Sequence, residues 1–157
     1  MTSFKSRRFT GQTSKNIHHL IAFFVQQDWF ACSVFSVLKV IPIEAIYGRY
    51  QRSNLGITRY QEREIVVINI EFCLGFKTTL TKSSYLYLLV IQLANDLVGI
   101  PLTEPPIVYR VPEVNLVDLP DTYLAQNKIT CLSSKIVKMP NVPPLFILDL
   151  EKLLLVT

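Results

Sequence analysis

Arg63-Glu-Ile-Val-Val-Ile-Asn-Ile-Glu-Phe72 is the stretch from which the fold class is read. It is rich in β-branched residues and alternates in part between apolar and polar side chains, the pattern of a strand. Moving toward the C-terminus, Gly75 and Lys77–Lys82 form a polar loop. Tyr85–Gln92 reads as a buried strand, Asn95-Asp96 as a turn and Leu97–Leu102 as a further strand. Ile107–Val111 and Lys128–Val137 are strand-like as well, and Pro101, Pro105, Pro106, Pro112 and Pro120 argue against long helices between them. Ile147, Leu150, Leu153 and Leu154 recur at helical spacing, which predicts a closing amphipathic helix over 146–156. Short strands with turn signals and one terminal helix suggest a small, strongly bent sheet or barrel.

Toward the N-terminus the pattern differs. Arg49–Gln61 is polar, contains Asn54 and Gly56, and reads as a linker. Trp29–Val40 fits either a helix or a strand, ended by Pro42. Ser14 is placed to cap a helix in which Ile17, Leu20, Ile21, Phe24 and Val25 fall at i, i+3, i+4, i+7 and i+8. The first dozen residues are polar and aperiodic. The expected division is a flexible tail over 1–13, a helical N-terminal extension over 14–60 and a barrel domain over 61–157.

Composition narrows the function classes. The chain has 157 residues, 50% hydrophobic and 18% charged, enough apolar surface to exclude a disordered chain. The apolar run from Leu20 is broken by Gln26-Gln27-Asp28, which would sit in mid-bilayer, so a spanning helix or a signal peptide is disfavoured and a cytoplasmic protein is expected. Cys32, Cys73 and Cys131 are odd in number and widely spaced, suggesting buried thiols rather than a disulfide framework or a zinc site. His18 and His19 are adjacent and point different ways, so they do not chelate as a pair, and no metal or cofactor is expected. The net charge of +4 is concentrated in residues 1–63, which carry nine basic side chains against three acidic ones.

The order of segments resembles the PemK/MazF family of toxin–antitoxin ribonucleases. Arg63-Glu-Ile-Val-Val-Ile-Asn-Ile-Glu-Phe-Cys-Leu-Gly-Phe-Lys77 is similar to that family's opening strand, and Gly99-Ile-Pro-Leu-Thr103 matches its G-I-P-L-T motif. Cys131-Leu-Ser-Ser-Lys-Ile-Val137 and Phe146–Leu155 follow in the corresponding order. The resemblance implies an α+β fold, an SH3-like β-barrel with a C-terminal helix. It also implies metal-independent cleavage of single-stranded RNA, an antitoxin protein as partner, and a homodimer.

Such cleavage needs a cation and hydroxyl donors aimed at the phosphoryl oxygens. Thr103 keeps its matching place, and Lys82 is the nearest cation to the family's missing first arginine. Lys77, Arg110 and Lys138 are candidates for phosphate contacts, and Tyr85 for stacking on a base. Each also has a plain reading: a strand-end hydroxyl, solvated cations, and a tyrosine packed in the core. The family arginines are replaced, so the resemblance implies an impaired ribonuclease. The alternative is a non-enzymatic barrel module that binds a protein partner or RNA. The aromatic cluster of Phe23, Phe24, Trp29, Phe30 and Phe35 is either packing or a partner groove.

Overall fold

The computed structural model describes residues 16–43, 45–47, 55–76, 84–93, 95–121 and 131–156. The tail expected over 1–13 lies outside the described residues, as do Lys77 and Lys82. Among the described residues, eleven strands form two sheets. Strands β1 (Ile17–Val25), β2 (Asp28–Ser33), β8 (Ile107–Pro112), β9 (Leu116–Asp118), β10 (Leu132–Val137) and β11 (Leu145–Leu148) make one, in the order β8-β1-β2-β11-β10-β9. Strands β3 (Val37–Pro42), β4 (Leu55–Tyr60), β5 (Arg63–Ile68), β6 (Tyr87–Leu93) and β7 (Asp96–Leu102) make the other, in the order β3-β6-β7-β5-β4. Two short helices accompany them, α1 (Ile70–Cys73) and α2 (Leu150–Val156).

The expected helical extension is a correction: Ile17–Val25 is a central strand. Its apolar residues match a helical stripe, but both faces of the segment are buried, which a strand flanked by β2 and β8 accomplishes with period 2. Ile21, Phe23 and Val25 enter one apolar cluster, whereas Leu20 and Ala22 enter another on the opposite face. The polar Gln26-Gln27 that interrupts the run is the hairpin turn, with Val25 opposite Asp28 and Gln26 at a φ of 59°. Leu55–Tyr60, expected within a linker, is β4, and it pairs with β5 along its whole length.

The closed barrel is the second correction. Each sheet is open, with β3 and β4 as the edges of the five-stranded one. Those edges are bridged by side chains, Lys39 Nζ standing 4.7 Å from the centre of the Tyr60 ring. The Phe146–Val156 segment divides into two elements. Leu145–Leu148 pairs in parallel with β2, and the helix begins only after Asp149, whose Oδ1 accepts from the Lys152 N–H at 3.2 Å.

The largest cluster joins the two sheets. Ile21, Phe23, Phe30 and Cys32 from one sheet meet Ile68, Leu89, Ile91, Val98 and Ile100 from the other. The outer faces carry smaller clusters of their own, around Leu88 and Val90 in one sheet and Ala31 and Leu145 in the other. Gly99 is dictated by packing: a Cβ there would stand 2.6 Å from Leu88 Cδ1. Pro101 is tolerated in a central strand because β5 pairs with β7 only at Val98 and Gly99, leaving the proline past that ladder.

Candidate functional site

Thr103 and Tyr85 do come together. Both line a cavity of about 290 Å³ where the β1–β2 hairpin meets α1 and the end of β7, with Phe24, Val25, Gln26, Ile70, Glu71 and Pro101 completing the wall. Asn69 starts α1 by accepting the Phe72 N–H on its side chain, and this places Glu71 inward. The Glu71 side chain is fully buried, accepting from Gln26 Nε2 at 2.6 Å and from the Tyr85 hydroxyl at 3.5 Å. Hydrogen bonds of this kind are what make a buried carboxylate tolerable.

A phosphoryl group needs cationic donors, and the described wall offers a carboxylate and no Lys or Arg. Arg110 and Lys138 belong to the other sheet. Arg110 is exposed on the edge strand β8 opposite His19, and Lys138 follows β10, its N–H donating to the Asn115 carbonyl at 2.9 Å. Tyr85 is buried against the apolar cluster of the five-stranded sheet, not offered for stacking.

The cysteines are poor nucleophiles in this fold. Burial pushes the Cys32 and Cys73 thiols up to about 12, with a nearby Cys131 charge adding to the effect at Cys73. Cys131 rises to about 11 through burial first, opposed by a backbone hydrogen bond and assisted by Asp149. All three are thiols at neutral pH, whereas the thiolate is the reactive form. No group of three metal-ligating side chains occurs among the described residues.

Two surfaces are better suited to binding than to chemistry. On the outside of the β4–β5 hairpin, Ile57 sits directly across from Val66, and Tyr47 is held beside Ile57 by reciprocal backbone hydrogen bonds of 2.7 and 2.9 Å. Tyr47 is 60% exposed and Ile57 44%. With Arg59 and Glu64 they line a shallow groove of about 350 Å³. An exposed apolar centre with a charged rim is the usual anatomy of a protein interface. None of Val66, Ile57 and Tyr47 could be told from core residues by sequence pattern, because strand alternation fixes a face without saying which face is outward.

The second surface is a groove of about 550 Å³ crossing both sheets. Leu20, Cys32, Leu93, Leu116 and Ile147 contribute its apolar lining, Ser33, Ser36 and Ser133 its hydroxyls, and His18, Asp149 and Glu151 its titratable groups. Phe35, on the 3-10 turn Val34–Ser36 that includes Ser36 of the lining, is 87% exposed and meets His19 edge-on at 6.4 Å.

Comparison with known proteins bears on these surfaces. A family model described as CheW-like domain matches residues 19–156. Among solved structures, the scaffolding protein TtCheW from Thermoanaerobacter tengcongensis is similar at a TM-score of 0.67 and 14% identity, over 83% of this chain and 88% of that one. A search of curated proteins finds no match. The family match overturns the resemblance to PemK/MazF toxins, and with it the toxin–antitoxin endoribonuclease, the RNA substrate and the antitoxin partner. The Gly99–Thr103 motif that carried the resemblance is explained by packing at Gly99 and by the place of Pro101 past the β5–β7 ladder.

Proposed function

We propose that this chain, which belongs to the CheW-like domain family, is a non-enzymatic adaptor that binds protein partners in a chemotaxis-type signalling assembly. The observation that carries the reading is the extent of the family match, which runs from β1 to the end of α2 and so includes both sheets. An adaptor needs stable surfaces rather than a reacting centre, and the molecule has this form. Its thiols are protonated, and its cavity wall presents a carboxylate where phosphoryl chemistry calls for a cation. The partners of this reading are a signalling kinase and a receptor tail, met in the cytoplasm. No helix of the described residues is long and apolar enough to cross a membrane.

The β4–β5 face is the surface assigned to one of those partners, with Ile57 and Tyr47 as its anchors. Exposed aliphatic and aromatic side chains at the centre of a patch carry most of the energy of such interfaces. Titration calorimetry of the full chain against the regulatory domain of a chemotaxis kinase, and against a receptor cytoplasmic fragment, tests the reading. Binding of at least one is expected, weakened about tenfold or more by Ile57→Asp, on the order of 1.4 kcal/mol. Failure to bind either would overturn the adaptor reading. Binding unaffected by Ile57→Asp would move the interface to another face.

A further inference from the structure

We infer that the cavity between the β1–β2 hairpin and α1 is a binding site for a small organic ammonium ion with an apolar body, and that the Gln26 amide holds the place of the ligand's charged donor. The cavity measures about 290 Å³, close to the lower end of the roughly 300–1,000 Å³ range of small-molecule sites. Phe24, Ile70 and Pro101 give it apolar walls, and Gln26, Glu71 and Thr103 bring polar groups to it. An apolar cleft with a few converging polar groups is the ordinary form of such a site. A ligand here is additional to the adaptor's protein partners, and its binding does not depend on them.

The class of ligand follows from Glu71. Its carboxylate has no exposed surface, and the Gln26 amide donates to it at 2.6 Å. Gln26 is itself exposed, at the tip of the hairpin with a φ of 59°. Part of what covers the carboxylate is therefore a surface side chain that can turn out into solvent. An ammonium placed where Gln26 Nε2 stands donates to the same oxygen. A charged donor makes a shorter hydrogen bond, roughly twice as strong as a neutral one, so a cation displaces the amide where a neutral ligand does not. A carboxylate or phosphate ligand would instead meet Glu71 with like charge. The selecting features are thus the sign of the group at the base of the cavity and the neutrality of the donor that the ligand replaces.

The ligand's body rests on the apolar walls. Phe24 packs against Trp29 with ring centres 5.4 Å apart, so its ring is held in place to receive an aromatic body. Phe24 and Gln26 belong to the β1–β2 hairpin of the six-stranded sheet, whereas Pro101 is in β7 of the other and Thr103 follows it. The ligand therefore touches both sheets, and its occupancy stabilises the folded chain by mass action.

The test is titration calorimetry of the full chain with phenethylammonium, and with 2-phenylethanol and 3-phenylpropionate as neutral and anionic probes of similar size. The cation is expected to bind with a Kd of about 1 mM or tighter, an ordinary affinity for so few atoms. It should bind at least about tenfold more tightly than either other probe. Gln26→Gly suits the left-handed turn and removes the competing amide, so it should tighten cation binding about threefold or more. Glu71→Gln should abolish the preference for the cation. Should that variant fail to fold, as read by circular dichroism, Thr103→Trp at a half-buried position on the wall should fill the cavity and weaken binding at least about tenfold. Cation binding weaker than about 10 mM, or equal binding of the three probes, would overturn the inference. So would cation binding that Gln26→Gly weakens, or that neither Gln26→Gly nor Thr103→Trp alters. Tighter binding of Nα-acetyl-lysine amide than of phenethylammonium would overturn a free small molecule in favour of a partner's lysine side chain.

Discussion

Cys32 shows how the burial expected from the sequence removes a thiol from chemistry. It lies in β2 among the residues that join the two sheets, and its thiol is pushed up to about 12 by burial alone. The linkage has a definite sign. Between the free thiol's 9.0 and about 12, the folded protein holds a proton that the unfolded chain has given up, so this stability is complete below pH 9 and is lost as pH rises through this window. Cys73 and Cys131 act in the same direction. The unfolding free energy from urea titration should therefore be level between pH 7 and 8.5 and fall from pH 9 upward, by on the order of 1 kcal/mol per pH unit for each buried thiol. Cys32→Ala should shallow that slope. A slope unchanged by this substitution would show that the alkaline loss arises elsewhere.

At the scale of elements, the turns are where local chemistry and the fold disagree. The β4–β5 hairpin closes through Gln61 and Glu62, whose φ angles are 49° and 65°. A two-residue turn with both centres left-handed is type I′, which favours Asn-Gly. Neither residue present is a usual choice, and left-handed geometry costs a non-glycine residue roughly 1–2 kcal/mol. Gln61→Asn with Glu62→Gly should raise the unfolding free energy by about 1 kcal/mol, and so the urea midpoint, without altering the strands, read by circular dichroism. A lowered midpoint would mean that these side chains make contacts worth more than the strain.

The same unsuitable turn residues explain why Arg49–Gln61 reads as a linker: without an Asn-Gly signal, β4 carries no hairpin signature. The strands from Tyr85 to Val111 are legible because they are continuous apolar runs divided by Asn95-Asp96 and the prolines. Ile17–Val25 is illegible for the opposite reason. A segment apolar on both faces satisfies a helical stripe and a buried strand equally, and only its neighbours β2 and β8 decide. The candidate site suffered more than the fold. Thr103 and Tyr85 share a cavity, but what the cavity can do depends on Glu71, which the fold buries in its wall.

For the whole molecule, the decisive feature is that its largest apolar cluster belongs to both sheets at once. Phe30 lies at its centre. It comes from β2, is 1% exposed, and meets Phe76 at 6.2 Å and Phe146 at 5.7 Å between ring centres. Phe76 follows α1, which itself follows β5 of the five-stranded sheet, whereas Phe146 is in β11 of the other. A molecule built this way keeps its two sheets in fixed relation, because neither buries its inner face without the other. Truncating Phe30 to alanine should cost about 3–5 kcal/mol, the usual range for emptying a buried aromatic site. The loss should fall on the two sheets together. Hydrogen exchange under mild denaturant provides the measurement, with amides of β6 reporting on one sheet and those of β10 on the other. Both sets should converge on one lowered opening free energy, within the same unfolding transition. If β6 kept its protection while β10 lost its own, the sheets would be independent folding units, and a rigid two-sheet scaffold would no longer describe the protein.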